Sequence, residues 1–200
     1  LDTLRPAADL IVHRVRVLLG AVAPGDCVRL KIDARRRDAV RLHHSGTHLA
    51  HGVLRERLGP HVRQAGSLVA PDRLRFDFNH NGALDARALE AMEDEVNARV
   101  RANVECTSVE MSFDEAMKLG ALAFFGDKYG ERVRVVRMGD FSLELCGGTH
   151  VQRTGDIGLF KFRSEGGVAA GVRRIEAVTG GVAVDWVQVR EQRLRQIGEA

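Results

Sequence analysis

Asp38-Ala-Val-Arg-Leu-His-His-Ser-Gly-Thr-His-Leu-Ala-His-Gly-Val-Leu-Arg-Glu-Arg-Leu58 is the stretch on which the reading of the fold turns. Its apolar residues recur every three or four positions, the period of a helix and not the period of two of a strand. Gly59-Pro60 then stops the run. The spacing predicts a helix over 38–58. At about 100° per residue, Leu42, Leu49 and Val53 gather on one side, and His44 and His48, at i and i+4, project from the other. One side packs on a core while the histidine side lines a separate space. His51 shares that side, so three histidines from this helix are one alternative site. His43 lies about 100° away from it, either exposed or packed.

Upstream, Pro24-Gly25-Asp26 is a turn signal, and residues 28–33 alternate apolar and polar as a half-buried strand does. Residues 1–37 therefore read as the end of a small β-rich module. Downstream, residues 74–78 alternate again, and His80-Asn81-Gly82 supplies a turn. Leu89, Met92, Val96 and Val100 mark a second helix over 85–100. Ser112 with Glu115 fits a capping box that opens a short helix. Strands are expected at 133–138, 141–145, 159–162 and 172–178. From Gly181 the text is helical, with sparse apolar positions suited to packing on a segment this sequence does not contain. The expected organisation is a β-rich module (1–37), a main domain (38–180) and the start of a linking helix (181–200). The fold class is α+β: a mixed or antiparallel sheet with packed helices.

No stretch approaches the roughly 18 uninterrupted apolar residues of a membrane helix, and no signal peptide order is visible. The three cysteines are an odd number at wide spacing, which excludes a disulfide framework and points to a reducing, cytoplasmic setting. Cys27 and Cys106 lie in strand-like text and read as small buried residues. A net charge of +3 permits a nucleic-acid partner without demanding one. By charge alone, the Arg35–Arg37 run and the Arg173-Arg174 pair are solvated faces. The chain begins at Leu1 and is expected to be part of something longer.

Cys146-Gly147-Gly148-Thr149-His150 follows directly on the strand expected at 141–145. Its glycines let the backbone turn tightly enough for thiolate and imidazole to face one centre. Together with His44 and His48 this makes three nitrogens and one sulfur, a donor set that zinc prefers, and it places a zinc site between a helix and a strand-turn. A His-Glu-x-x-His metalloprotease is excluded, because Ser45 stands where the glutamate must be.

These residues resemble the editing domain of alanyl-tRNA synthetase. The motifs are His44-Ser-Gly-Thr-His48-Leu, His61-Val-Arg-Gln-Ala-Gly-Ser-Leu-Val, Asp72-Arg-Leu-Arg-Phe-Asp-Phe, Gly120-Ala-Leu-Ala-Phe-Phe-Gly-Asp-Lys-Tyr-Gly130 and Glu144-Leu-Cys-Gly-Gly-Thr-His-Val151. They close with Thr154-Gly-Asp-Ile-Gly158 and Gly171-Val-Arg-Arg-Ile-Glu-Ala-Val-Thr-Gly180, so the resemblance covers about 38–180. It implies zinc ligands at His44, His48, Cys146 and His150, a substrate-facing amide at Gln64, and Thr47 near the pocket. It implies hydrolysis of the ester in Ser-tRNA(Ala) and Gly-tRNA(Ala), with the tRNA(Ala) acceptor end as partner. Arg173 or Arg174 is expected to grip that end, because arginine pairs bidentately with phosphate. The ATP-dependent aminoacylation domain and the C-terminal domain of such a synthetase are missing here. An alanine pocket cannot exclude glycine and rejects an added hydroxyl only about 100-fold, so a second, hydrolytic site is the remedy. Two other classes stay open: an RNA-binding module with a structural zinc, and a small-molecule acyl hydrolase.

Overall fold

The computed structural model describes residues 2–7, 10–123 and 129–199. It divides into two compact units, Leu1–Ile32 and Asp33–Ala200. In the first, strands β1 (Asp2–Ala7) and β2 (Leu10–Arg14) pair antiparallel. The strand expected over 28–33 does not form; Val28, Leu30 and Ile32 are all more than half exposed. Alternation makes a strand only where a neighbour takes the backbone hydrogen bonds and covers the apolar face.

The second unit opens with helix α1, Ala34–Leu58, which begins four residues earlier than its apolar period indicates. The Asp33 side chain accepts from Arg36 N at 2.9 Å, and the arginine run, good helix-forming text, fills the first turn. Gly59 ends the helix at φ 114°, where only glycine is unstrained. Strands β3 (Gln64–Val69) and β4 (Leu74–Asn79) follow, then helix α2 (Ala86–Arg101). Next come β5 (Cys106–Ser112), the short helix α3 (Phe113–Lys118) with its capping box, β6 (Arg132–Met138) and β7 (Ser142–Leu145). A 3-10 turn at Thr154–Ile157 leads to β8 (Phe160–Ala169), β9 (Val172–Thr179) and helix α4 (Gly180–Gly198).

Two antiparallel sheets result, ordered β3-β4-β9-β8 and β5-β6-β7. This is the α+β class that the sequence indicated. The main core packs Leu49, Val53 and Leu54 of α1 and Met92 and Val96 of α2 on Phe76, Phe78, Phe160 and Ile175. α2 is bound to β8 by Asn97, which donates to Phe160 O and accepts from Phe160 N, both at 2.9 Å. α1 reaches the end of β9 closely because residue 46 is glycine: a Cβ there would lie 2.9 Å from Thr179 Cγ2. His43 completes this junction. It is buried, its Nδ1 pairs with Ala39 O at 2.9 Å, and its Nε2 accepts from Thr179 N at 3.2 Å. Burial pushes its pKa down, which suits a neutral ring in an accepting role. On α4, Ala183 is buried while Leu194 and Ile197 are exposed. Among the described residues, no helix is long and apolar enough to cross a membrane.

Candidate metal centre

α1 presents His44 and His48 one turn apart on the side facing away from Leu49 and Val53. β7 delivers the other half, because its last residue, Leu145, leads directly into Cys146 and the loop to His150. One ligand atom from each of His44, His48, Cys146 and His150 lies within 4.8 Å of the others. Cys146 Sγ is 3.5 Å from His44 Nε2 and 3.3 Å from His150 Nε2. A tetrahedral zinc with bonds of about 2.0–2.3 Å holds its donors roughly 3.5 Å apart, so these two separations fit such an ion.

The loop is shaped for this convergence. A Cβ on Gly148 would lie 2.1 Å from His44 Cε1, so glycine is required there by the approach of the imidazole itself. Arg134 of β6 donates from Nη1 to Gly148 O at 2.6 Å, and Cys146 N donates to Arg134 O at 3.0 Å. Ser45 braces the turn from the helix side. Its hydroxyl contacts His150 Nδ1 at 3.2 Å and accepts from Val151 N at 3.1 Å. His48 Nδ1 lies 2.8 Å from Glu144 Oε2, an ion pair by distance although not aligned as a directed hydrogen bond. His51 stands outside the four-donor group; its Nδ1 meets Glu144 Oε1 at 3.1 Å.

The electrostatics supply an anionic sulfur donor. Burial pushes the Cys146 thiol up, but contacts with His150, His44 and His48 overcome it and hold the pKa at about 3, so the sulfur is a thiolate. Burial would likewise lower His48, yet the Glu144 carboxylate and Cys146 beside it raise it to about 10. Glu144 is held below the ordinary carboxylate range, its burial outweighed by His48 and His51. His150 falls to about 4 through burial, against the opposing pull of Cys146. A divalent cation entering here meets one thiolate and displaces a proton that His48, beside Glu144, holds, after which the donors are those a borderline-soft ion takes.

His44, His48 and Cys146 of the cluster, with Glu144, form one wall of an inner cavity of about 100 Å³, lined also by Thr47, His51, Gln64, Ser67, Val69 and Phe76. Thr47 donates its hydroxyl proton to His43 O at 2.8 Å, so toward the cavity its oxygen can only accept. Gln64, at the start of β3, also faces a larger cavity of about 320 Å³, as does His51. That outer space is bounded by Arg55 and Arg63 on one side and Met117, Ala121 and Leu122 on another.

Arg173 and Arg174 are elsewhere, in the walls of neither cavity. Arg173 pairs with Glu165 through Nε and Nη2 at 2.5 and 2.7 Å, and Arg174 with Asp77 at 2.7 and 2.8 Å. The charge pattern alone missed these partners. It also missed Ser45, Glu144 and Arg134. For Glu144 a signal existed: an acid at an inward position of a strand two residues before a ligand. Residues 124–128, the centre of the Gly120–Gly130 motif, lie outside the described residues.

Residues 133–176, from β6 through the Cys146–His150 loop into β9, match the family described as threonyl and alanyl tRNA synthetase second additional domain. Among curated proteins, the alanine–tRNA ligase of Paramagnetospirillum magneticum is 54% identical over 198 residues, 99% of this chain and 23% of that protein. The alanine–tRNA ligase of Xanthomonas campestris pv. campestris is 56% identical over 199 residues, 100% of this chain and 22% of its own length. By sequence, nearly the whole chain is similar to one segment of alanine–tRNA ligases. It spans a little over a fifth of the length of these relatives. The four-donor cluster falls inside the aligned alanine–tRNA ligase segment, and its Cys146–His150 half lies in the matched second additional domain.

Proposed function

We propose that this chain hydrolyses the ester bond of tRNA(Ala) wrongly charged with serine or glycine, at a zinc centre formed by His44, His48, Cys146 and His150. One observation carries the reading. The four donors converge, and three of them, His44, His48 and Cys146, line a cavity of about 100 Å³ whose other polar lining is Thr47, His51, Gln64, Ser67 and Glu144. A space that small favours a small aminoacyl group over a bulky one.

When bound, zinc supplies a fixed positive charge that can orient the amine or hydroxyl of the amino acid. The chain's own residues do the rest. Thr47 accepts a hydrogen bond from the substrate, since its own proton is engaged with His43 O. Gln64 offers both donor and acceptor to a serine hydroxyl. Phe76 and Val69 supply the apolar part of the lining. Because four protein donors leave a tetrahedral ion no vacant position, the attacking water is taken to be held by the cavity. The acceptor end approaches on the side of the outer cavity, where Arg55 and Arg63 face it. Of the two arginines on β9, the phosphate contact is assigned to Arg174. Its side chain is 36% exposed against 16% for Arg173.

The test is release of serine from Ser-tRNA(Ala) and from serine methyl ester. Turnover of the first alone supports the reading. Turnover of both would make the chain a small-molecule esterase. Binding of tRNA with turnover of neither would make the zinc structural and the chain an RNA-binding module, which the closed donor set favours as the second reading.

A further inference from the structure

Glu144 is the most deeply buried charged side chain at the metal centre, 1% exposed. A carboxylate taken out of water is tolerated only with partners, and Glu144 has three. Ser142, two residues earlier on the same face of β7, donates its hydroxyl to Oε1 at 3.1 Å. His51 Nδ1 contacts Oε1 at 3.1 Å, and His48 Nδ1 lies 2.8 Å from Oε2. His48 thus has one ring nitrogen against a carboxylate, while its side chain also contacts Cys146 within the cluster. His51 has one nitrogen on the same carboxylate and a flank on both cavities.

We propose that Glu144 is a positioning residue of the metal centre. Its carboxylate holds His48 with Nδ1 turned outward and Nε2 turned into the cluster, and it fixes His51 in the wall that the two cavities share. A carboxylate beside the outer nitrogen of a ligating histidine favours the tautomer that keeps the proton on that side before the ion arrives, and makes the ring the more basic ligand for it. β7 then does two things at once: it places the thiolate of Cys146, and two residues earlier it sets the angle of a ligand that belongs to α1. The proposal rests on the metal reading above, and the experiment separates the two.

The measurement is zinc and cobalt affinity of the full chain by chelator competition, with NMR of the ¹⁵N-labelled imidazoles in the zinc-loaded protein. Glu144→Gln, which keeps size and removes charge, is expected to weaken zinc binding about 10- to 100-fold. It is also expected to shift the His48 Nδ1 resonance, a change that simple filling of space by residue 144 would not produce. Unaltered affinity and an unaltered His48 signal in Glu144→Gln overturn the positioning role while leaving the metal site standing. A wild-type chain that takes up neither metal overturns both. Should Glu144→Gln fail to fold, Ser142→Ala removes one donor from the carboxylate and leaves its charge in place. A several-fold loss of zinc affinity in that variant supports the proposal, and none counts against it.

Discussion

His44 and His48 ride on a helix whose backbone hydrogen bonds are complete without them, and their separation follows from helical geometry alone. Cys146 and His150 sit in a loop with no such framework of its own, held by Arg134, by Ser45 and by the room Gly148 leaves. The helical half is therefore set by local structure, and the loop half by contacts from two other elements, β6 and α1. Changes to the two halves should fail differently.

The largest contrast is expected from Cys146→Ala. It removes the thiolate donor, so zinc content by elemental analysis should fall towards zero. The melting temperature of metal-loaded protein should fall with it, whereas that of metal-free protein should change much less, since a bound ion stabilises only the state that holds it. Full zinc occupancy in this variant would remove Cys146 from the donor set.

Next comes Gly148→Ala set against Gly46→Ala, one glycine from each half. The methyl at 148 is driven into the His44 ring and should lower zinc affinity at least tenfold while the fold persists. At 46 the methyl meets Thr179 Cγ2. Crowding of roughly 1–3 kcal/mol is there partly offset by the roughly 1 kcal/mol that alanine contributes over glycine inside a helix. That variant should shift stability modestly and leave zinc affinity alone. Equal loss of zinc in both would erase the distinction between the halves.

A smaller effect is expected at the cavity wall facing the cluster. Gln64→Leu deprives a serine hydroxyl of its amide partner, so the ratio of deacylation rates for Ser-tRNA(Ala) over Ala-tRNA(Ala) should narrow by about tenfold, with zinc retained. An unchanged ratio would move the selecting group to Thr47. The smallest is Arg174→Gln. Loss of one phosphate contact should weaken tRNA binding evenly and reduce its salt slope by about one; a slope equal to wild type would leave Arg174 as the partner of Asp77 only.

The sequence carried the α1 donors, the Cys146–His150 donors and the α+β class, because each is written in local periodicity or in adjacent residues. It did not carry what depends on distant partners. The arginines at 173 and 174 look like a free basic patch until Glu165 and Asp77 are folded against them. The alternation at 28–33 looks like a strand, but no neighbour is there to complete it among the described residues. His43 looks like a surface residue or filler, and its role is to accept from Thr179 N, 136 residues away. Glu144 is one acid in a motif until β7 brings it against two histidines of α1.

His44 and Cys146 are separated by 102 positions in the chain. An ion shared between them is a reversible cross-link around a loop of that length, comparable in the entropy it removes from the unfolded chain to a disulfide closing about 100 residues, roughly 4–5 kcal/mol by loop-closure theory. Such a link cannot close until α1, the four-stranded sheet behind it and β7 are all in place. An ion bound there would hold α1 against the β7 side of the molecule, so the rate at which a chelator strips it would report the opening of that contact.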